Sequence, residues 1–110
     1  MEESTGGGVL KNHSESIIQG NTKECYITGQ TGQLDKHHIY PGANRKVSEA
    51  QGFWVWLKHD LHNGNNPEAV HNNPNAGYDL MLKVKCQEIS EQTHSRESFM
   101  ALIGKNFRED

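Results

Sequence analysis

The chain has 110 residues, a formal net charge of −3, 33% hydrophobic residues and a mean hydropathy of −0.85, which points to one small domain and excludes a two-domain enzyme. No run of about 18 apolar residues occurs and the N-terminus lacks a basic-then-apolar secretory pattern, so the expected home is the cytoplasm, with no membrane partner. Cys25 and Cys86 make no disulfide framework, and the acidic balance excludes a histone-like coat of positive charge while leaving room for a local basic cluster.

Residues 1–23 mix Gly, Ser, Asn and charge with no hydrophobic period beyond Ile17 and Ile18, and read as a flexible arm ahead of a folded domain over 24–110. Cys25-Tyr26-Ile27-Thr28 is β-prone and ends at Gly29. After a second turn at Thr31-Gly32, Leu34 to Tyr40 alternates as a strand until Pro41-Gly42, so a hairpin is expected. Arg45 to Gln51 suits a short helix closed by Gly52. Phe53-Trp54-Val55-Trp56-Leu57 is the most β-prone stretch, and its unbroken apolar character suggests a central strand. Between Leu61 and Tyr78 lie six Asn, two Pro and two Gly, which call for an irregular loop. Asp79 opens a helix with Leu82, Cys86 and Ile89 on one side and Glu88 and Glu91 on the other. Ser95 reads as the N-cap of a last helix that carries Phe99, Leu102 and Ile103 on one face and stops at Gly104. The order of elements defines an α+β fold.

Five of the seven histidines (His37, His38, His59, His62 and His71) fall within a short window. Strand alternation sends His37 and His38 to opposite faces, so they take different jobs. His62 and His71 flank or lie in a polar loop able to fold back onto the strand. His37, His62 and His71 together suit a divalent cation with positions left open, and His38 is then placed to deprotonate a water. His59, three residues before His62, competes as a ligand, and Asp35 and Asp60 are possible oxygen ligands. His13 and His94 read as solvated. Arg45 and Lys46 are the basic candidates for phosphate contact, while Trp54 and Trp56 share a strand face and read as core. An imidazole-rich site accepts Zn²⁺, Ni²⁺, Mn²⁺ and other ions.

The span from Cys25 to Phe107 resembles the HNH endonucleases, in the compact phage and prophage type related to recombination-enhancement nucleases. The likeness rests on Lys36-His37-His38-Ile39-Tyr40-Pro41-Gly42 with Asn44-Arg45-Lys46-Val47-Ser48-Glu49, on Gly52 to Leu57 leading into Leu61-His62-Asn63, on Val70-His71-Asn72-Asn73, and on the tail from Ser95 to Phe107. It implies a ββα-metal core with additional C-terminal helices and hydrolysis of DNA with little sequence specificity, supported by Mg²⁺ or Mn²⁺. By the same resemblance His37, His62 and His71 are the metal ligands and His38 the general base. The family's middle Asn falls near Gly52 or Phe53, which carry no amide, and Asn63 is its substitute. Relatives carry two Cys-x-x-Cys pairs on a structural zinc. Here those places read Cys25-Tyr-Ile-Thr28 and Lys58-His-Asp-Leu61, so no structural zinc is expected and Leu61 packs apolar surface instead. The other class of function is an HNH-fold binding or regulatory protein, weak or inactive in catalysis, that acts on DNA or on a host nuclease.

Overall fold

In the computed structural model, which describes residues 15–63 and 65–108, the alternating segment after Gln33 forms β1 (Leu34–His38). It pairs antiparallel with β2 (Trp54–Lys58), Leu34 opposite Lys58 and His38 opposite Trp54. Between them runs α1 (Arg45–Gln51), ending at Gly52 as the sequence predicts. Then follow the one-turn helix α2 (His59–His62), a 3-10 turn at Val70–Asn72, α3 (Gly77–Thr93) and α4 (Arg96–Ile103). The fold is α+β, and among the described residues no helix is long and apolar enough to cross a membrane.

Among the described residues the sheet has two strands, so the central place expected for β2 is not seen there. Its apolar run is unbroken because each face is covered by a different device. Val55 and Leu57 point inward and are fully buried with Leu61, Val70, Leu82, Cys86, Phe99 and Ile103. Trp54 and Trp56 lie on the other face, edge to face at 5.4 Å, with the Lys36 and Lys23 ammonium groups 4.2 and 4.7 Å from their ring centres. Trp54 is buried, as expected of a core residue, whereas Trp56 is half-buried, and both lie outside the main apolar cluster.

The expected hairpin of 25–28 with 34–40 does not form. Cys25-Tyr-Ile-Thr28 is a turn in which the Gly29 N–H donates to the Cys25 carbonyl (2.8 Å) and the Thr28 N–H to the Cys25 sulfur (3.4 Å). Local bonds satisfy part of the backbone that a ladder would have used, the Tyr26 N–H donates to the Trp56 carbonyl of β2 (2.9 Å), and β1 finds its partner in β2. Burial pushes the Cys25 thiol up, but hydrogen bonds from Thr28 and from the Lys58 and Ile27 backbone outweigh it, and the net shift is downward. Leu61 joins Cys25 in one buried cluster, the apolar packing expected at these positions.

The described part of the arm is also different from the expectation. Ser16 is buried, Ile17 and Ile18 pack on the core, and the Ile17 N–H donates to the Gly52 carbonyl (2.9 Å). The Gln19 side chain accepts from the Trp56 N–H (2.8 Å), covering the free edge of β2. Docking thus begins by Ser16; residues 1–14, including His13, lie outside the described residues. Gly52 makes this docking possible. Its φ is +77°, and a Cβ there would stand 2.1 Å from the Glu15 carbonyl oxygen. Gly52→Ala is expected to cost about 2 kcal/mol or more, limited by the cost of undocking the segment from 15 to 20, and chemical denaturation reads it directly.

Ser48, fully buried, ties α1 to the end of β1: its Oγ donates to the Tyr40 carbonyl (2.8 Å) and accepts from the Tyr40 N–H (3.2 Å). On α3, Leu82 and Cys86 are buried as expected, but Lys83, Gln87 and Ser90 are buried with them while Ile89 is partly exposed. Gln87 takes the Phe107 N–H on its carbonyl (2.8 Å), which explains its burial. Ser95 caps α4 by accepting from the Ser98 N–H (2.9 Å); Phe99 and Ile103 are buried, and Leu102 is exposed.

Glu91, read from the sequence as lying on the polar side, is an anchor for the C-terminal segment. It is bound by Arg96 (2.9 Å) and by Arg108 (2.5 Å). Arg96 and Gln87, by hydrogen bonding, hold its carboxyl at about 2, against 4.5 ordinarily. A depressed carboxylate contributes stability that is present above the unfolded value and lost as pH falls from about 4.5 toward 2. Glu91→Gln should therefore cost on the order of 1 kcal/mol at neutral pH and flatten the acid limb of the stability curve in that window, as read by urea titration at stepped pH.

Candidate metal centre

His37 is the inward-facing residue near the end of β1, opposite Val55, and its side chain is 2% exposed. Among the described residues, its two ring nitrogens are the only buried side-chain polar atoms without a hydrogen-bond partner. A buried imidazole with both nitrogens unpaired carries an uncompensated cost unless a ligand meets it. Burial, then the charges of His62 and His71, push it down to about 3, so it is neutral and has a free lone pair at neutral pH.

His62 comes from α2, the single turn that follows β2. A carboxylate can only accept, so the 3.0 Å contact of His62 Nδ1 with Asp35 Oδ2 fixes a proton on Nδ1 and turns the Nε2 lone pair toward the cluster. Asp35 also accepts from His59 Nδ1 at 2.7 Å. Burial raises the Asp35 carboxyl, but the bonds from His62 and His59 and their charges bring it below its ordinary value.

His71 sits on the 3-10 turn, which is pinned by buried Ala69 and Val70. The Asn-rich loop spends its amides on its own backbone: Asn73 Nδ2 donates to the Pro67 carbonyl (2.6 Å) and Asn72 Nδ2 to the Asn66 carbonyl (3.0 Å). This self-bonding lets eight residues with Pro67 among them separate His62 from His71 and still return the second ring to the first, Nε2 to Nε2 at 3.0 Å. Burial and the neighbouring His62 lower the His71 ring, with Asp79 opposing.

One nitrogen from each of His37, His62 and His71 lies within 4.8 Å of the others. Two ligands of one ion with metal–nitrogen bonds of about 2.0–2.1 Å stand about 3.0–3.4 Å apart, so the 3.0 Å pair already has ligand spacing and the third ring is close to it. Orphaned His37, oriented His62 and neutral His71 fit a divalent cation. The Asp35–His62 pair is the outer carboxylate commonly found behind a metal-binding imidazole.

Of the expected ligands, then, His37, His62 and His71 meet. His59 is turned outward, its side chain 61% exposed and bonded to Asp35, so between it and His71 the geometry selects His71. Asp35 is outside the group that converges and is instead the acceptor behind His62, its Oδ2 shared by two ring N–H groups. Asp60 faces Lys58 at 3.6 Å, away from the cluster.

The cluster opens into a cavity of about 240 Å³ whose lining also includes Lys36, His38 and Arg45. His38 reaches it from the opposite face of β1, with Nε2 2.6 Å from Glu49 Oε1 on α1. Lys36 Nζ holds the other Glu49 oxygen at 3.1 Å. Lys46 is exposed on α1 and outside the lining, and Asn63 caps α2 by its N–H to the His59 carbonyl (2.8 Å), likewise outside the lining. His94 is exposed and bonded to Thr93 (2.9 Å).

Sequence reasoning did not single out Glu49, Lys36 or Asp79 as site residues. Asp79 lies behind His37, 4.0 Å from Nε2, paired to buried Lys83 at 2.8 Å. Lys36 was findable, since a strand period of two sets it on the His38 face. Glu49 required knowing how α1 folds back. Comparison of the chain with protein-family models, curated proteins and solved structures finds no match.

Proposed function

We propose that the protein is a metal-dependent endonuclease of the HNH type that hydrolyses phosphodiester bonds of DNA with little sequence specificity. The observation that carries this reading is the meeting of His37, His62 and His71 within 4.8 Å in a cavity that also admits His38. The succession β1, β2, α2 supports it, because it is a ββα unit with one ligand on the first strand and one on the helix.

His37, His62 and His71 would hold the ion, Mg²⁺ or Mn²⁺ in the working enzyme, with Zn²⁺ and Ni²⁺ accepted by the same donors. A bound divalent cation supplies positive charge that stabilises the pentavalent phosphate and the leaving 3′ oxygen. His38 takes the proton from the attacking water at Nδ1, since Nε2 is committed to Glu49. Arg45, exposed at the mouth, offers a planar donor set to a non-bridging phosphate oxygen. A chain this short has few elements left to read base edges, so phosphate contacts dominate over base contacts.

The test is relaxation of supercoiled plasmid by the purified chain with Mg²⁺ or Mn²⁺, with and without chelator. Nicking that the chelator stops is the expected result. DNA binding without cleavage across Mg²⁺, Mn²⁺, Zn²⁺ and Ni²⁺ would overturn the enzyme and leave a binding module on the same fold.

A further inference from the structure

We infer that Glu49 is the positioning residue for His38, holding the imidazole in one tautomer and orientation. The inference rests on the reading above, in which His38 takes the proton from water.

Three observations carry it. First, Glu49 Oε1 stands 2.6 Å from His38 Nε2, with both side chains largely withdrawn from solvent, at 18% and 13% exposure. A carboxylate accepts only, so the proton sits on Nε2 and the lone pair on Nδ1, the nitrogen left to meet water. Second, Glu49 is itself held. Lys36 Nζ grips its second oxygen at 3.1 Å, and the Lys36 ammonium is laid on the Trp54 ring. Third, the helix that carries Glu49 cannot drift relative to β1, because its neighbour Ser48 exchanges hydrogen bonds with both backbone groups of Tyr40, two residues beyond His38. Ring orientation, tautomer and the offset of charge gained on proton transfer are thus supplied by one side chain. Asn63 is not among the residues that line the cavity.

The experiment uses the full chain loaded with Zn²⁺, with the His38 ring followed by long-range proton–nitrogen NMR, alongside plasmid cleavage in Mn²⁺. Wild-type His38 should show the proton on Nε2. Glu49→Ala should lose that preference and lower turnover by about 100-fold with KM and zinc affinity unchanged, and Glu49→Gln, which keeps an acceptor oxygen, should regain both in part. Wild-type His38 with its proton on Nδ1, or a tautomer unmoved in Glu49→Ala, overturns the inference whatever the turnover does. If the wild type cuts no DNA, the nuclease reading fails, while the tautomer comparison still decides whether Glu49 holds the ring.

Discussion

Replacing His38 by alanine is expected to lower plasmid nicking by about 10²–10⁴-fold, the usual contribution of a positioned general base. Affinity for Zn²⁺ should stay within about twofold, because the His38 ring is hydrogen-bonded to Glu49 and orients none of the three clustered histidines by a hydrogen bond. The physical basis is strand alternation. His37 faces the core and His38 the α1 side, where its ring is bonded to Glu49, so truncating one leaves the other's setting in place. The experiment pairs a nicking time course with a competition titration against a chromophoric chelator. Undiminished cleavage would remove His38 from the mechanism, and a parallel loss of zinc would make it a ligand.

The second large effect concerns Asp35. Asp35→Ala should weaken divalent-ion binding by about 10–100-fold, whereas His59→Ala should leave it nearly unchanged, although both residues belong to the same hydrogen-bonded trio. The difference follows from what each does for His62. Asp35 fixes the proton on Nδ1 and so aims Nε2 at the cluster; His59 only shares the carboxylate from an exposed position. The same contrast should appear in thermal unfolding. An ion at 100 times its dissociation constant adds about 2.7 kcal/mol, and for a domain of this size that raises the midpoint by roughly 10–20 °C. At the same ion concentration Asp35→Ala should forfeit about half of that rise or more, and His59→Ala little of it. Equal behaviour of the two variants would mean that the carboxylate does not orient the ligand.

The local parts of this fold were legible because they depend on local chemistry. Gly52 ends α1 in a left-handed conformation, Ser95 caps α4 and Gly104 closes it, all from residue types whose backbone preferences are strong. That His37, His62 and His71 come together was legible from spacing and strand context. What the sequence hid are the non-local pairings. Cys25-Tyr-Ile-Thr28 has the composition of a strand, but it folds as a turn whose Tyr26 N–H donates to the Trp56 carbonyl of β2 (2.9 Å), a partner that periodicity cannot report. Trp56 looks like core by hydropathy, yet it is half-buried under the Lys23 ammonium, edge to face with buried Trp54. Glu49, eleven residues from His38, reaches it only because Ser48 bonds to Tyr40, a contact with no periodic signature. Likewise Gln87 and Lys83 are buried on α3 because tail residues and Asp79 satisfy them, a pairing that hydrophobic spacing misreads as an exposed position.

The most direct measurement is anomalous diffraction at the metal edge from crystals grown with Zn²⁺ or Mn²⁺. A single strong peak bonded to ring nitrogens of His37, His62 and His71 at about 2.0–2.2 Å, with Asp35 behind His62 and outside bonding distance, is the predicted result. A peak held by His59 in place of His71, a peak away from His37, or none at saturating metal would contradict the centre on which the enzyme is proposed.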